Sequence, residues 1–214
     1  MQNLHDYIII RENVIPQEHI EELMLLTNSD DTSQATVFKE PTKPDEEIDK
    51  TTDGGREDLR IRNTLWYPIP EEHVVKLEQG IAQAYGTYVQ PRYNCEFKNY
   101  EPAQFLGYPV GGHYLQHIDG EQINRKTGEW EEALPRDISF LFYLNSEFGG
   151  GEIEFPTLGL TIKPKKGMMI AFPSYKEFPH KVHPVTWGFR YTIVSWVGTK
   201  EKLYDTVSKP RVSD

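Results

Sequence analysis

"DISFLFYLNSEFGGGEIEFPTLGLTIKPKKGMMIAFPS", residues 137–174, decides the fold class. Short runs of Ile, Phe, Leu and Tyr are cut by Asn145, Gly149 to Gly151, Pro156, Gly159, Pro164 and Gly167. β-branched and aromatic residues broken by turn formers at such short intervals read as consecutive strands. The texture extends outward in both directions, to "EFKNYEPAQFLGYPV" (96–110) before it and to "HKVHPV" (180–185) and "FRYTIVSWV" (189–197) after it. Many short strands in one stretch indicate a barrel or sandwich. Further upstream the pattern is different. "DYIIIRENVI" (6–15) reads as a strand, and "PQEHIEELMLLT" (16–27) as a helix with Pro16 in its first turn and Ile20, Leu23, Met24 and Thr27 on one face. "PEEHVVKLEQGIAQAYGTYV" (70–89) places Val74, Leu77, Ile81, Ala84 or Tyr85, and Tyr88 at helical spacing. Helices first and strands after predict an α+β, mainly β chain: a jelly roll supported by N-terminal helices.

At 214 residues the chain has the length of one domain with a sizeable core. The expected layout is N-terminal support over 1–92, a β core over 93–198 and a tail over 199–214. Between Lys39 and Asp58, eight acidic and four basic residues stand with one aliphatic and no aromatic, so 39–58 reads as a mobile surface loop. The formal charge of −10 argues against general affinity for nucleic-acid phosphates. No apolar run has the length of a membrane span, and no secretory leader is visible, which leads us to expect a cytoplasmic protein. A single cysteine, Cys95, excludes an internal disulfide and a cysteine-based zinc site, and reads as core filler.

Chemistry concentrates in two places. "YPVGGHYLQHIDG" (108–120) contains an H-x-D pair, His117 and Asp119, and residues two apart on an extended strand share a face. "FPHKVHPVTWGFRYTIVSW" (178–196) adds His180, His183 and Arg190. Two histidines and one carboxylate on three corners of an octahedron leave three positions open, the arrangement of non-haem iron(II) oxygenases. Arg190 offers a fork of donors suited to a carboxylate, with Thr192 two residues on and facing the same way. Which histidine completes the triad depends on a hairpin register. A two-residue Trp187-Gly188 loop puts His183 on the face of Arg190, and a three-residue Thr186-Trp187-Gly188 loop puts His180 there. Glycine at the third loop position suits the second. His5, His19 and His73 have no partner at ligand spacing and read as surface or helix-face residues; His113 and His183 read as outward-facing or outside the immediate ligand set.

These residues together resemble the iron(II)- and 2-oxoglutarate-dependent dioxygenases, and among them the prolyl 4-hydroxylase type. Tyr108, Gly111, Tyr114, His117 and Asp119 match that group's Y-x-x-G-x-x-Y-x-x-H-x-D, and "HKVHPVTWGFR" resembles its H-x-V-x-P-V-x-x-G-x-R/K, which makes His180 the ligand. The resemblance covers roughly 59 to 197. It implies a double-stranded β-helix with His117, Asp119 and His180 around Fe(II), and Arg190 and Tyr143 on the distal carboxylate of 2-oxoglutarate. Tyr108 would line the pocket near the metal. O2 is the second co-substrate, ascorbate a reductant, and the products are succinate, carbon dioxide and a hydroxylated C–H bond. The implied partner is a proline-containing polypeptide, over which the 39–58 loop would close. A free amino acid or another side chain is the alternative substrate, and a non-catalytic ligand-binding jelly roll the alternative class.

Overall fold

Residues 138–143 are buried without exception, as a strand is when both of its faces are covered. In the computed structural model, which describes residues 3–28, 30–38 and 55–200, this strand lies inside an eight-stranded antiparallel sheet. The order by residue range is 9–11, 169–173, 138–143, 190–199, 104–108, 65–67 and 33–34, with 97–100 pairing the far end of 190–199. A second antiparallel sheet runs 160–162, 153–155, 180–182, 113–117, 62–63. The two pack face to face: Phe155 of the smaller sheet meets Phe172 of the larger edge-on with ring centroids 4.8 Å apart. This is the expected mainly β jelly roll, with few helices.

Helix α1 (Gln17–Leu25) buries Ile20 and Leu23, and helix α2 (Glu71–Ala84) buries Leu77, Ile81 and Ala84. Both start directly after a proline, at Pro16 and Pro70. The apolar stripe departs from expectation after Tyr85. A π-helical turn over Tyr85–Val89 inserts one residue into the 3.6-residue period, so Val89 is buried instead of Tyr88. Tyr88 is left half-buried under the Arg11 guanidinium.

The 6–15 segment is shorter as a strand than its composition predicts. Leu4–Tyr7 form a 3-10 turn, and only Ile9–Arg11 pair, against Met169–Ala171. The expected surface loop 39–58 lies outside the described residues as far as 54. At its end Gly55–Arg56 pairs with Val37–Phe38, and Asp58 is buried, its carboxylate gripped by Arg60 at 2.9 Å. Asp58 is thus a turn anchor and not part of a solvated acidic run. Among the described residues no helix is long and apolar enough to cross a membrane.

The hairpin expected across Thr186–Gly188 does not form. Residues 185–188 pair with 148–150, and 190–199 pairs with 138–143 and 104–108, while 180–182 belongs to the smaller sheet. Gly188 does take the left-handed conformation, φ 73°, but it marks a crossing between sheets and not a hairpin turn. The parity argument from that hairpin therefore has no bearing on which histidine faces inward.

Candidate metal centre

Strand pairing sorts the larger sheet's side chains. Tyr143 pairs with Thr192 and Ser139 with Trp196, while Arg190 pairs with Tyr108 and Thr192 with Leu106. Cross-strand partners share a face, so Ser139, Tyr143, Arg190, Thr192, Tyr108 and Trp196 all point one way. The way they point is towards the smaller sheet, because the Ser139 hydroxyl donates to Asp119 Oδ2 at 2.6 Å.

His117 and His180 are directly paired across the smaller sheet, and Asp119 lies two residues beyond His117. His117 Nε2 is 3.5 Å from Asp119 Oδ1, and His180 Nε2 is 3.6 Å from Asp119 Oδ2. Metal–ligand bonds of roughly 2.0–2.2 Å place neighbouring donors about 3 Å apart, so the three atoms already stand close to the spacing an ion requires. Each imidazole turns its other nitrogen to a backbone carbonyl, His117 Nδ1 to Leu115 at 2.8 Å and His180 Nδ1 to Phe178 at 3.2 Å. An Nδ1–H donated to a carbonyl leaves the Nε2 lone pair free for a cation. His183 is elsewhere: its Nε2 meets Glu154 at 2.6 Å, beside Lys181.

The electrostatics agree with a cation site. Burial, reinforced by the neighbouring His180, lowers the His117 pKa to about 3, so that ring is neutral. Burial alone would raise Asp119, but His180, His117, Arg136 and the Ser139 hydrogen bond together hold it below its ordinary value. An ionised carboxylate and a neutral imidazole are the protonation states in which such groups bind a divalent ion.

A bulge shapes the strand that carries His117. His180 pairs with His117 and Val182 with Tyr114, so one residue, Lys181, stands opposite two, Leu115 and Gln116. The extra residue brings Tyr114 to the side of His117, and their rings stack with centroids 3.6 Å apart. Arg62 covers the outer face of Tyr114 at 4.8 Å. Phe172 and Phe155 flank the His180 ring, with centroids 4.7 and 5.8 Å away.

Arg190 is 0% exposed, and none of its three guanidinium nitrogens meets a hydrogen-bond partner among the described residues. The guanidinium lies over the rings of Tyr108 at 4.4 Å and Tyr143 at 4.9 Å. The Tyr143 hydroxyl is likewise buried and makes no well-formed hydrogen bond; burial raises its pKa, with the charge of Arg190 and a loose contact to its guanidinium acting in the opposite direction. A buried, unpaired guanidinium is too costly to be structural filler, and the donors left over fit a carboxylate. Gly151 makes room for it: with φ at 67°, a Cβ there would stand 2.9 Å from Arg190 Cδ. Thr192 faces the same way but spends its proton on the Phe142 carbonyl at 2.9 Å. A carboxylate brings no proton of its own, so Thr192 adds no donor for it.

Sequence reasoning missed Ser139, Ser174 and Arg136. Ser139 also bonds Ser174 at 2.8 Å. Arg136 is bidentate to Glu101, at 2.7 and 2.6 Å, lies 3.6 Å over the Trp196 ring and reaches the Asp119 carbonyl at 3.4 Å. The signal for Ser139 was present, as the one small polar residue in "ISFLFY", between Ile138 and Phe140. By the same alternation Ile138, Phe140 and Phe142 occupy the face opposite Tyr143. His19 and His73, expected to have no partner at ligand spacing, are brought by folding close to each other and to Glu22.

Comparison with known proteins bears on the same residues. Residues 103–198 match the family model of the 2OG-Fe(II) oxygenase superfamily. Prolyl 3-hydroxylase 2 of Mus musculus is 45% identical over 97 residues, 41% of this chain and 14% of that protein. The match thus spans a small part of the relative's length. A putative prolyl 4-hydroxylase of Acanthamoeba polyphaga mimivirus is 31% identical over 151 residues, 65% of this chain and 59% of that one. Among solved structures, a prolyl hydroxylase from Trichoplax adhaerens, in complex with a hypoxia inducible factor oxygen degradation domain peptide fragment, superposes with a TM-score of 0.64 at 18% identity, over 95% of this chain and 88% of that one.

Proposed function

We propose that residues 103–198, which match the family model of the 2OG-Fe(II) oxygenase superfamily, form such an oxygenase domain and that this chain hydroxylates prolyl residues in a polypeptide. His117, Asp119 and His180 would hold Fe(II), and Arg190 with Tyr143 would bind the distal carboxylate of 2-oxoglutarate. When bound, the iron supplies the oxidative step: 2-oxoglutarate and O2 give succinate and carbon dioxide, with the second oxygen atom inserted into a C–H bond. The observation that carries the reading is the pairing of a two-histidine, one-carboxylate cluster with a fully buried, unpartnered guanidinium. Neither alone is specific. Together they fit one acidic co-substrate that bridges them.

The protein's own part is binding and order. Ser139 and Arg136 hold Asp119 by its carboxylate and its carbonyl, which keeps the carboxylate oriented towards the two imidazoles with which it would hold the ion. The backbone carbonyls of Leu115 and Phe178 set the imidazole orientations. Phe155 and Phe172 exclude water from the His180 side. Arg190 can donate two parallel hydrogen bonds to one carboxylate, and Tyr143 a third, which would fix that end of the co-substrate. A polypeptide substrate is supported by the prolyl hydroxylases among the relatives. It is further supported by exposed Val110 and Trp187, carried on two segments that Gly111 and Gly112 join through backbone hydrogen bonds with Val185.

The test is succinate release with Fe(II) and 2-oxoglutarate, followed by mass spectrometry of a panel of proline-containing peptides alongside free proline. A gain of one oxygen on a peptide is expected. Hydroxylation of free proline in preference to every peptide would replace the polypeptide with a small molecule.

A further inference from the structure

A second group of metal-ligating side chains lies on the helices, away from the centre above. His19 and Glu22 stand three residues apart on α1, so they share a face, and His73 sits in the first turn of α2. One donor atom from each lies within 4.8 Å of the others. All three residues are half-buried. His73 Nδ1 is 3.9 Å from Glu22 Oε2, and both His73 Nδ1 and His19 Nε2 are buried without a hydrogen-bond partner among the described residues.

Buried ring nitrogens are ordinarily hydrogen-bonded. Here two of them, on separate helices, are orphaned close to one carboxylate. We propose that His19, Glu22 and His73 form a second metal site, for a borderline divalent ion of which zinc is the type, joining α1 to α2. Two imidazoles and one carboxylate suit such an ion at bonds of roughly 2.0–2.2 Å, whereas calcium and magnesium require a shell of oxygens. Small rotations of the three side chains bring the donors to that distance, and water fills the remaining positions. Burial, with Lys76 and His73, lowers the His19 pKa against the pull of Glu22, so its lone pair is available.

Lys76 is the built-in competitor. Its ammonium lies 2.6 Å from Glu22 Oε2, and an ion bound to that oxygen displaces it. The site therefore exchanges one salt bridge for three coordination bonds, and removing the lysine should tighten binding.

The test is zinc content, measured by mass spectrometry of the desalted full-length protein after equilibration with Zn2+. His73→Asn and His19→Gln should each carry one zinc fewer per chain than the wild type, and lose the zinc-induced rise in thermal midpoint that this ion provides. Lys76→Met should retain the ion and bind it at least severalfold more tightly. Zinc taken up at His117, Asp119 and His180 adds equally to every variant, so failure of that assignment changes the totals and not the difference. Equal zinc content in the wild type and His73→Asn, both folded by circular dichroism, overturns the proposal. So does weaker binding by Lys76→Met, which stands even where a histidine variant misfolds.

Discussion

The rings of Tyr114 and His117 stack with planes 16° apart, although strict strand alternation puts residues three apart on opposite faces. The bulge opposite His180 is what reconciles them, so the tyrosine works on the metal site through a ring contact. Tyr114→Phe should bind iron as the wild type does. Tyr114→Ala should lose about tenfold to a hundredfold in iron affinity, the usual effect of removing a group that orients a ligand. Iron titration of the two variants separates the ring from its hydroxyl; equal loss in both would show that the hydroxyl matters.

His180 and His183 differ by three positions and should differ completely in consequence. His180→Ala removes a donor and with it most iron binding. His183→Ala breaks a half-exposed contact to Glu154, a solvent-screened surface pair, and should leave iron binding and succinate release intact. Metal analysis of both variants decides the assignment.

Arg190→Met should divide function from stability. Charge-assisted hydrogen bonds contribute about 1.5–3 kcal/mol each, so losing two of them should raise KM for 2-oxoglutarate roughly a hundredfold or more. Without co-substrate, the variant no longer has to bury an unpaired charge, and its thermal midpoint should equal or exceed that of the wild type. Arg190→Lys should keep part of the affinity, as it keeps the charge but not the two-point fork. Thermal scans with and without 2-oxoglutarate check both halves; a less stable Arg190→Met protein would mean the guanidinium is a structural group.

Gly151→Ala should act on Arg190 without touching the metal. The left-handed backbone costs roughly 1–2 kcal/mol for a residue with a Cβ, and the new methyl group would press on the arginine stem. The expected result is a raised KM for 2-oxoglutarate with unchanged iron affinity.

Much of the site was legible because its residues announce themselves by type and local spacing. His117 and Asp119 lie two apart, and Arg190 begins a strongly β-forming run. The choice of His180 over His183 came from family resemblance, while the hairpin argument offered for it rested on a pairing that does not exist. Register between distant strands is set by which sheet each one joins, and no local turn rule reports that. Ser139 and Arg136 stayed hidden for the same reason, since each meets Asp119 only through tertiary packing. The π-helical turn at Tyr85 breaks the very periodicity from which the helix was read. Asp58 looked solvated because its neighbours in sequence are, yet Arg60 folds back over it.

The 190–199 strand lies between 138–143 on one side and 104–108 with 97–100 on the other. It is also the last of these to leave the ribosome. When residue 189 has been added, all three candidate iron donors are already made, but the larger sheet is still two pieces with bare edges where the missing strand belongs. Such edges invite pairing with other chains. A stalled or truncated product ending there should be sticky and in need of a chaperone, and ten more residues would turn it into a closed sheet.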